Sequence, residues 1–366
     1  MLALRMSKGV TFASLMVLAM SSPTKRALSM SDAEGAYAQL QDWYSSSTGL
    51  WQDAGWWQCA NVLTTISNLA MIRDQIKDDV FAVQQATFTS ARQQDEQFIG
   101  QRFINNYYDD EGWWALGWIA SYDISGNPQY LAMAESIFAD MRTTFGKTNC
   151  SSNRGGTGGI FWNRDQTYVN AIANELFFSV AAALANRVSS KDYLNIAQQQ
   201  WKWFQGSGMI NSDGNINDGL TGDCRNNGDT VWSYNQGVIL GGLVELSKAT
   251  RDGSHISSAQ HIADAAIGLL APFGVLQDQC EQNGRTCDSD QTQFKGIFAR
   301  NLMYLHRAAP SSKYASFFSE NANSILTRNT NDGKFGLRWT GPFVAPANVS
   351  THSSSMDCLI ASLSTR

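Results

Sequence analysis

Two adjacent carboxylic acids, Asp109 and Asp110, stand at the start of a segment with helical spacing. A helix dipole favours the ionised form of a carboxyl group in its first turn, while a negative neighbour raises the pKa of a second carboxyl group. One such pair can therefore supply an ionised nucleophile and a protonated general acid. The alternative interpretation is structural: Asp109 caps the helix and Asp110 complements its dipole.

The aromatic residues around the pair favour the chemical interpretation. Tyr107, Tyr108, Trp113 and Trp114 flank the two acids, and the whole chain contains 12 Trp and 11 Tyr. Aromatic faces make apolar walls with a polar edge, which suits a sugar ring. Cleavage of a glycosidic bond uses two carboxyl groups, about 5–5.5 Å apart when one is the nucleophile and about 6.5–9.5 Å apart when water attacks. The pair therefore predicts a site that cleaves glycosidic bonds.

The composition limits the class of ligand. Only 16% of the 366 residues are charged, the net charge is −5, and there is no basic run beyond short pairs. A nucleic acid or an acidic membrane surface would find no electrostatic attraction, so we expect no nucleic-acid partner. With 43% hydrophobic residues, the chain can bury a sizeable core.

The first residues have the order of a secretory signal: Arg5 and Lys8, an apolar run over 10–20, and then small residues. We predict a signal peptide over 1–28, followed by one catalytic domain over 29–366. The apolar run is shorter than the roughly 20 residues that cross a bilayer, and no hydrophobic tail typical of a lipid anchor ends the sequence. We expect a secreted monomer, extracellular or associated with a cell wall, without integral membrane association.

The six cysteines form an even set without the spacing of a zinc site, and in a secreted chain they predict disulfides. They are Cys59, Cys150, Cys224, Cys280, Cys287 and Cys358. Cys280 and Cys287 are the easiest pair to join, whereas the others could also be buried free thiols. Asn149 and Asn348 begin possible glycosylation motifs.

Motifs for metals and phosphates are missing from the sequence. The four histidines lack HExxH spacing, and there is neither a GxxxxGK loop nor a GxSxG elbow. The segment 213–219 is similar to a calcium loop, but Asp218 stands where that loop needs glycine and Cys224 where it needs glutamate. We predict no metal and no cofactor.

Apolar residues recur at helical spacing in most of the chain, and short turns rich in breakers separate pairs of helical segments. These turns are Ser125–Pro128, Ser189–Asp192, Arg251–Ser254 and Ala309–Ser312. The predicted hairpins cover roughly 57–94, 111–145, 170–205, 233–270 and 293–328, with helices near 32–46 and 354–363 as a sixth pair. The sequence therefore predicts an all-α ring of six helical hairpins.

Long loops alternate with these short turns, so that in an up-and-down ring all long loops lie at one end. They cover about 47–56, 95–110, 146–169, 206–232, 271–292 and 329–353. Binding and catalytic residues are concentrated on loops carried by a rigid scaffold. We therefore expect the site at the long-loop end.

At residues 107–118 the sequence resembles glycoside hydrolase family 76, the fungal and bacterial endo-α-1,6-mannanases, whose signature is an Asp-Asp pair followed by paired aromatics. Further similar stretches follow in order: Gly158–Trp162, Asn174–Phe177, Asp218–Leu220, Trp232–Gly237 and Lys295–Arg300. The resemblance covers roughly residues 30–360. It implies an (α/α)6 barrel and a retaining mechanism with a mannosyl-enzyme intermediate, in which Asp109 is the nucleophile and Asp110 the general acid/base.

The same resemblance implies an α-mannan or mannooligosaccharide substrate and a set of substrate-binding residues. That set is Trp57, Tyr108, Trp114, Trp162, Asn174, Glu175, Asp218, Tyr234, Asn235 and Lys295. Structural alternatives remain open for several of them: Trp162 could plug a loop against the barrel, and Glu175 could pair with a buried arginine. Tyr234 and Asn235 could cap a helix.

Three functional hypotheses are consistent with these residues and with the resemblance. The first is endo-acting hydrolysis of α-1,6-mannosidic bonds. The second is transglycosylation, in which a sugar acceptor replaces water and remodels cell-wall mannan or glycolipid-anchored glycoproteins. The third is a non-catalytic carbohydrate-binding wall protein, although a binding protein needs no pair of adjacent acids.

Overall fold

Twelve α-helices make up most of the residues that the computed structural model describes, which are 26–91, 102–153, 156–282 and 286–365. They are α1 (Met30–Gln41), α2 (Trp56–Ile72), α3 (Lys77–Ser90), α4 (Tyr108–Ser125), α5 (Pro128–Met141), α6 (Ala171–Ala185), α7 (Lys191–Ser207), α8 (Ser233–Thr250), α9 (Ser254–Leu270), α10 (Phe294–Ala308), α11 (Ser312–Arg328) and α12 (Val349–Leu363). Most of the predicted signal peptide lies outside the described residues.

Short antiparallel β-hairpins lie in three of the connections between helices. They pair β1 (Tyr44–Ser45) with β2 (Leu50–Trp51), β3 (Ser152–Asn153) with β4 (Gly156–Thr157), and β5 (Thr330–Asn331) with β6 (Lys334–Phe335). Two-residue strands are too short to produce a visible alternation of apolar and polar residues. The sequence therefore predicted no strands: it placed Tyr44–Ser45 in the helix near 32–46 and the other segments in loops.

The even-numbered helices form a closed inner ring, because α2, α4, α6, α8, α10 and α12 each pack on the next and α12 packs back on α2. Inner helices are buried on all sides, as α6 illustrates with every residue over 171–184 buried. Outer helices are amphipathic: α7 buries a stripe that includes Trp201, Trp203 and Phe204 and exposes its other face. The arrangement is an (α/α)6 barrel, which confirms the predicted fold class.

Glycines allow the inner helices to approach closely near the long-loop end. A Cβ atom at Gly237 of α8 would lie 2.6 Å from Cα of Phe298, and one at Gly296 of α10 would lie 2.5 Å from Cα of Ser354. Contacts this short are not sustainable, so any larger residue would force α8, α10 and α12 apart. These glycines set the width of the barrel beneath the loops.

Two helix boundaries differ from the prediction. Helix α12 begins at Val349 instead of 354, because the side chain of Asn348 accepts a hydrogen bond from Thr351 N and burial overrides the low helix propensity of the serines over 350–355. Helix α1 ends at Gln41 instead of 46, where the chain turns into β1. Helix propensity, which depends only on local residues, therefore predicts the start of α12 and the end of α1 wrongly.

The cysteines form two disulfides, Cys150–Cys224 and Cys280–Cys287. The second confirms the pair expected from spacing. The expectation of further pairing is wrong for Cys59 and Cys358, which are buried free thiols in α2 and α12. Burial raises the pKa of Cys59 to about 12, so its thiol stays protonated and donates to the carbonyl of Trp51.

The Cys150–Cys224 disulfide joins two long loops across 74 residues of sequence. Because a cross-link over a long loop restricts the unfolded chain, the double variant Cys150→Ala/Cys224→Ala is expected to lose about 2–4 kcal/mol of unfolding free energy. Urea unfolding followed by circular dichroism measures this loss. Cys280→Ala/Cys287→Ala, which opens a loop of only 7 residues, is the control and is expected to lose less. The reverse order of the two losses would contradict the chain-entropy explanation.

Candidate active site

Asp109 and Asp110 are the second and third residues of α4, at the long-loop end of the inner ring. Tyr107, not Asp109, occupies the cap position, and its side chain makes no capping hydrogen bond. The two carboxyl groups therefore remain available for other partners. Within the described part of the chain, neither aspartate forms an ion pair.

Each carboxyl group has its own hydrogen-bond donor. The indole Nε1 of Trp162 donates to Oδ2 of Asp109 at 2.9 Å, and Nδ2 of Asn105 donates to Oδ2 of Asp110 at 2.7 Å. The other oxygen of Asp109 is buried without a hydrogen-bond partner in the described residues. These fixed donors hold the two acids in different orientations and environments.

Both aspartates have pKa values above the usual range, although part of each side chain reaches the surface. The main cause is removal of the carboxyl groups from water, and the charge of Asp109 adds to the effect on Asp110. The indole of Trp162 and backbone N–H groups oppose the shift at Asp109. Burial thus favours the protonated form of both acids, and the indole donor distinguishes Asp109 by favouring its ionised form.

Replacing Trp162 by phenylalanine tests this difference. The variant keeps an aromatic ring but removes the donor that stabilises ionised Asp109, so the pKa of Asp109 is expected to rise. Since a nucleophile has to be ionised, the acidic limb of kcat/KM against pH should move to higher pH by about one unit. An equal loss at every pH, with an unmoved acidic limb, would show that Trp162 acts only by contact with substrate.

Arg164 fixes the segment that carries the two acids. Its guanidinium donates to the carbonyl of Asn105 at 2.8 Å and to the buried carboxylate of Glu111 at 2.5 Å. It also pairs with Asp140 of α5 at 2.6 Å and lies 4.8 Å from the ring centre of Tyr108. A second anchor is Tyr108 N, which donates to the carbonyl of Trp162. The loop over 156–169 and the start of α4 therefore form one rigid unit.

A layer of aromatic rings lies next to the acids across the mouth of the barrel. Trp57 stacks on Trp113 at 5.7 Å between ring centres, Trp113 faces Tyr234 at 6.4 Å, and Tyr234 stacks on Phe294 at 3.7 Å. These residues come from α2, α4, α8 and α10. Four inner helices thus contribute to one apolar surface that can hold a sugar face.

Further carboxylates make this end of the barrel acidic. Asp218 accepts a hydrogen bond from Tyr168 Oη at 2.5 Å, and Asp290 accepts one from Trp57 Nε1 at 3.1 Å. The charge of Asp290 raises the pKa of both Asp109 and Asp110. Among the described residues, no lysine or arginine forms an ion pair with Asp218 or Asp290. An anionic ligand would be repelled, whereas a neutral sugar or a cationic transition state would not.

The structure divides the sequence-predicted binding residues into two groups. Trp57, Trp162, Asp218 and Tyr234 are partly exposed around the acids. The second group is buried: Tyr108, Trp114, Asn174, Glu175, Asn235 and Lys295. The side chain of Asn174 is bonded to the carbonyl of Ile160 and to Gln200, so it supports the loop before Trp162.

Glu175 and Asn235 lie deeper in the barrel and have no side-chain hydrogen-bond partners among the described residues. The alternative in which Glu175 pairs with an arginine is wrong, because Arg300 bonds Asp357 and Asn61 instead. Burial, with the charge of Asp218 adding to it, raises the pKa of Glu175 well above its usual range. Glu175 is therefore a buried carboxyl group beneath the site whose surroundings favour its protonated form.

Sequence reasoning missed three residues that shape the site: Asn105, Arg164 and Asp290. Asn105 stands only five residues before Asp110, and this proximity was the one available signal. Arg164 and Asp290 lie in long loops, and nothing local to them indicates contact with α4 or α2.

A cleft of about 1150 Å³ opens beside Asp110 and is lined by residues from 47–56, 89–90 and 105–107. No helix among the described residues is both long and apolar enough to cross a membrane. The described His, Cys, Asp and Glu side chains include no cluster suited to holding a metal ion.

The helical barrel and the paired acids in an aromatic cleft define a class of carbohydrate-directed (α/α)6 proteins. Within that class the chain belongs to glycosyl hydrolase family 76, whose family model matches residues 27–365.

Curated relatives include the mannan endo-1,6-alpha-mannosidase DFG5 of Saccharomyces cerevisiae, 29% identical over 248 residues, which are 63% of this chain and 54% of that protein. The mannan endo-1,6-alpha-mannosidase DCW1 of the same yeast is 23% identical over 316 residues, 81% of this chain and 69% of that protein. The chain thus spans about half the length of the DFG5 proteins it matches.

Solved structures share the fold at low identity. One of them is the α-1,6-mannanase GH76A of Salegentibacter sp. HEL1_6, solved as an inactive double Asp-to-Asn variant in complex with α-1,6-mannotriose. It has a TM-score of 0.77 at 19% identity, and the match covers 91% of this chain and 98% of that one. Dfg5 from Chaetomium thermophilum in complex with glucosamine has a TM-score of 0.78 at 19% identity, with 92% and 89% covered.

Proposed function

We propose that this protein is a retaining, endo-acting hydrolase of α-1,6-mannosidic bonds in mannan. The observation that carries the proposal is the unequal pair of acids: Asp109 is held by the Trp162 indole, whereas Asp110 faces an open cleft. The family supports the substrate class, since the named relatives are mannan endo-1,6-alpha-mannosidases.

In the proposed reaction, a carboxylate oxygen of Asp109 attacks the anomeric carbon while the C1–O bond to the leaving sugar breaks. Asp110 gives its proton to the departing oxygen. Water beside Asp110 then attacks C1 while Asp110 takes a proton from it, and the ester bond between C1 and Asp109 breaks as the new C1–O bond forms. The carboxylates of Asp218 and Asp290, which form no ion pair with a lysine or arginine among the described residues, stabilise the positive charge that develops on the sugar ring in both steps.

Product analysis tests this function. Unbranched α-1,6-mannan and α-1,6-mannotetraose are incubated with the protein, and products are separated by chromatography while proton NMR follows the first-formed anomer. Internal cleavage with release of the α-anomer is the expected result. A β-anomer as first product would overturn the retaining mechanism, and binding without any new reducing ends would favour a non-catalytic wall protein.

Transglycosylation is the second candidate, and the cleft beside Asp110 favours it because an acceptor sugar would have room there. The mannosyl group on Asp109 would then pass to a sugar hydroxyl instead of water. Adding mannooligosaccharides to the reaction separates the two functions. Products longer than the added oligosaccharides would show that transglycosylation, not hydrolysis, is the main activity.

We also propose that the protein acts outside the cytosol, free or at a cell wall. The two disulfides support an oxidising compartment.

A further inference from the structure

The two carboxyl oxygens of Asp110 have different surroundings. Oδ2 accepts a hydrogen bond from Nδ2 of Asn105 at 2.7 Å. Oδ1 has no hydrogen-bond partner among the described residues, and, unlike Oδ1 of Asp109, it is not enclosed by protein. Asp110 is partly exposed and lines the cleft. Only one oxygen of Asp110 is therefore free to meet a substrate.

Asn105 presents a donor, and not an acceptor, to Asp110. Its own side-chain oxygen accepts a hydrogen bond from the backbone N–H of Tyr107 at 2.8 Å. A flipped amide would place its NH2 group against that N–H, and two donors cannot bond each other. The NH2 group of Asn105 therefore faces Asp110 whether or not Asp110 carries a proton.

This donor influences which oxygen of Asp110 carries the proton. A protonated carboxyl group has one hydroxyl oxygen and one carbonyl oxygen, and the carbonyl oxygen is the better acceptor. Because Oδ2 accepts from Asn105, the proton is favoured on Oδ1. That is also the oxygen from which a proton can pass to the departing oxygen of a bound sugar in the proposed reaction.

The segment that carries Asn105 is anchored on both sides. Before it, the buried ring of Phe103 packs on Trp114 and Trp118, at 4.7 and 5.0 Å between ring centres. After it, Nε of Arg164 donates to the carbonyl of Asn105 at 2.8 Å. The amide is thus in position before substrate arrives, and an ordered group loses little entropy on the way to the transition state.

Two further carboxyl groups act on Asp110. Asp109 precedes it in α4, and Asp290 lies in the loop before α10. Both raise the pKa of Asp110, as burial does, whereas the amide of Asn105 lowers it. Within the described part of the chain, no lysine or arginine pairs with Asp110. The Asn105 amide is therefore the group that opposes protonation of Asp110.

We propose that Asn105 is a positioning residue for the general acid: it keeps the transferable proton of Asp110 on Oδ1 and stabilises the carboxylate that remains after transfer. In this step the C1–O bond breaks as the bond from C1 to Asp109 forms. The proton moves from Oδ1 to the departing oxygen, and the negative charge left on Asp110 is bonded by the amide. The inference rests on the proposed α-1,6-mannanase activity and specifies how its acid is prepared.

Asn105→Ala tests this role, because it removes the amide and leaves both acids in place. Cleavage of α-1,6-mannotetraose needs a proton on the departing oxygen, whereas α-1,6-mannobiosyl fluoride releases fluoride without one. We expect kcat/KM for the tetraose to fall about 10- to 100-fold, as general acid catalysis is impaired. The first release of fluoride should change by less than about threefold.

The pH profile adds a readout that a purely structural role would not move. The basic limb of kcat/KM for the tetraose reports loss of the proton from Asp110. Because the amide favours the ionised form, its removal lets Asp110 keep the proton to higher pH. The basic limb should therefore move upward by about one pH unit. The acidic limb, which reports Asp109, should stay in place.

Asn105→Asp is the second variant, in case the alanine variant loosens the segment. Aspartate has nearly the same shape and still accepts from the N–H of Tyr107, but it replaces the NH2 group by an oxygen. It should melt close to the wild type, yet lose tetraose cleavage and raise the basic limb in the same direction as Asn105→Ala.

Asn186→Ala is the matched control. Nδ2 of Asn186 donates to Oε2 of Glu245 at 2.7 Å, the same distance as between Asn105 and Asp110, but at the end of α6 away from the long loops. Its replacement should leave the ratio of tetraose to fluoride rates and both limbs of the pH profile unchanged.

The outcomes separate the two proposals. If the wild type cleaves both substrates and the Asn105 variants slow both equally, or neither, with an unmoved basic limb, Asn105 does not position the proton and only this inference is overturned. If the wild type cleaves neither substrate, the proposed mannanase function itself is wrong.

Discussion

Asp109→Asn is expected to abolish cleavage of both α-1,6-mannotetraose and α-1,6-mannobiosyl fluoride, by about 10⁴-fold or more, because no carboxylate remains to form the covalent intermediate. Asp110→Asn is expected to give a different result. Its loss should be about 10²–10⁴-fold on the tetraose, whose leaving oxygen needs a proton. The first step with the fluoride should be much less affected, since fluoride departs without protonation.

Stability provides the second measurement on these variants. The pKa values of both acids are raised in the folded protein, so above their unfolded pKa the ionised forms cost folding free energy, and below it this cost disappears. Asparagine removes the charge. Both variants should therefore melt at the same temperature as the wild type or slightly higher at neutral pH, which separates a catalytic loss from unfolding.

Asp192→Asn is the matched control. Asp192 is the second residue of α7, as Asp109 is of α4, but it is exposed on an outer helix. Its replacement should leave both activities intact. If Asp110→Asn slowed the first release of fluoride as completely as it slows cleavage of the tetraose, the assignment of Asp110 as general acid would fail. If Asp109→Asn were the variant that kept the fluoride activity, the two roles would be reversed.

The ring of hairpins could be predicted because its evidence is local. Helical spacing of apolar residues and breaker-rich turns such as Ser125–Pro128 specify where helices pair, and strict alternation with long loops specifies which end carries them. The first hairpin lacked such a turn: α2 and α3 join through a short helical turn at 74–76, without Gly or Pro. The sequence therefore does not show where α2 ends and α3 begins.

The site was predictable only in part, because burial depends on contacts between distant segments. The sequence places Asp109 and Trp162 at the same end of the barrel, and the structure joins them by a hydrogen bond. It cannot show that Arg164 clamps Glu111 across 53 residues. It also cannot distinguish a polar residue that faces the cleft, such as Asp218, from one that is buried beneath it, such as Lys295.

Lys295 illustrates the consequence of this limit. The resemblance to the family predicts that Lys295 lies near the sugar, but its ammonium group is buried and pairs with Glu281. The same group donates to the carbonyl of Leu337 at 2.8 Å and lies 5.5 Å from the ring centre of Trp339. Burial raises the pKa of Asp278 to about 6, and the charge of Lys295 opposes this shift. Asp278 accepts hydrogen bonds from Ser233 at the start of α8. Lys295 therefore joins α10, α8 and two long loops.

Lys295→Met is expected to lower the free energy of unfolding by about 3–5 kcal/mol at pH 7, because Glu281 would remain buried without its partner. The loss should shrink at lower pH, because removal of the Lys295 charge raises the pKa of Asp278 in the folded state, and protonation of Asp278 then removes its share of the buried negative charge. Urea unfolding at pH 7 and pH 5 measures both effects. The double variant Glu281→Leu/Lys295→Met should recover part of the loss.

Lys313→Met is the matched control, because Lys313 pairs with Asp264 at 2.9 Å on the surface, with both side chains about half exposed. Such a pair is worth at most about 1 kcal/mol. If Lys295→Met unfolded like this control but lost mannotetraose cleavage, Lys295 would contact the sugar as the family resemblance implies. Because the two explanations predict losses in different measurements, stability and turnover of this one variant decide between a scaffold role and a substrate contact.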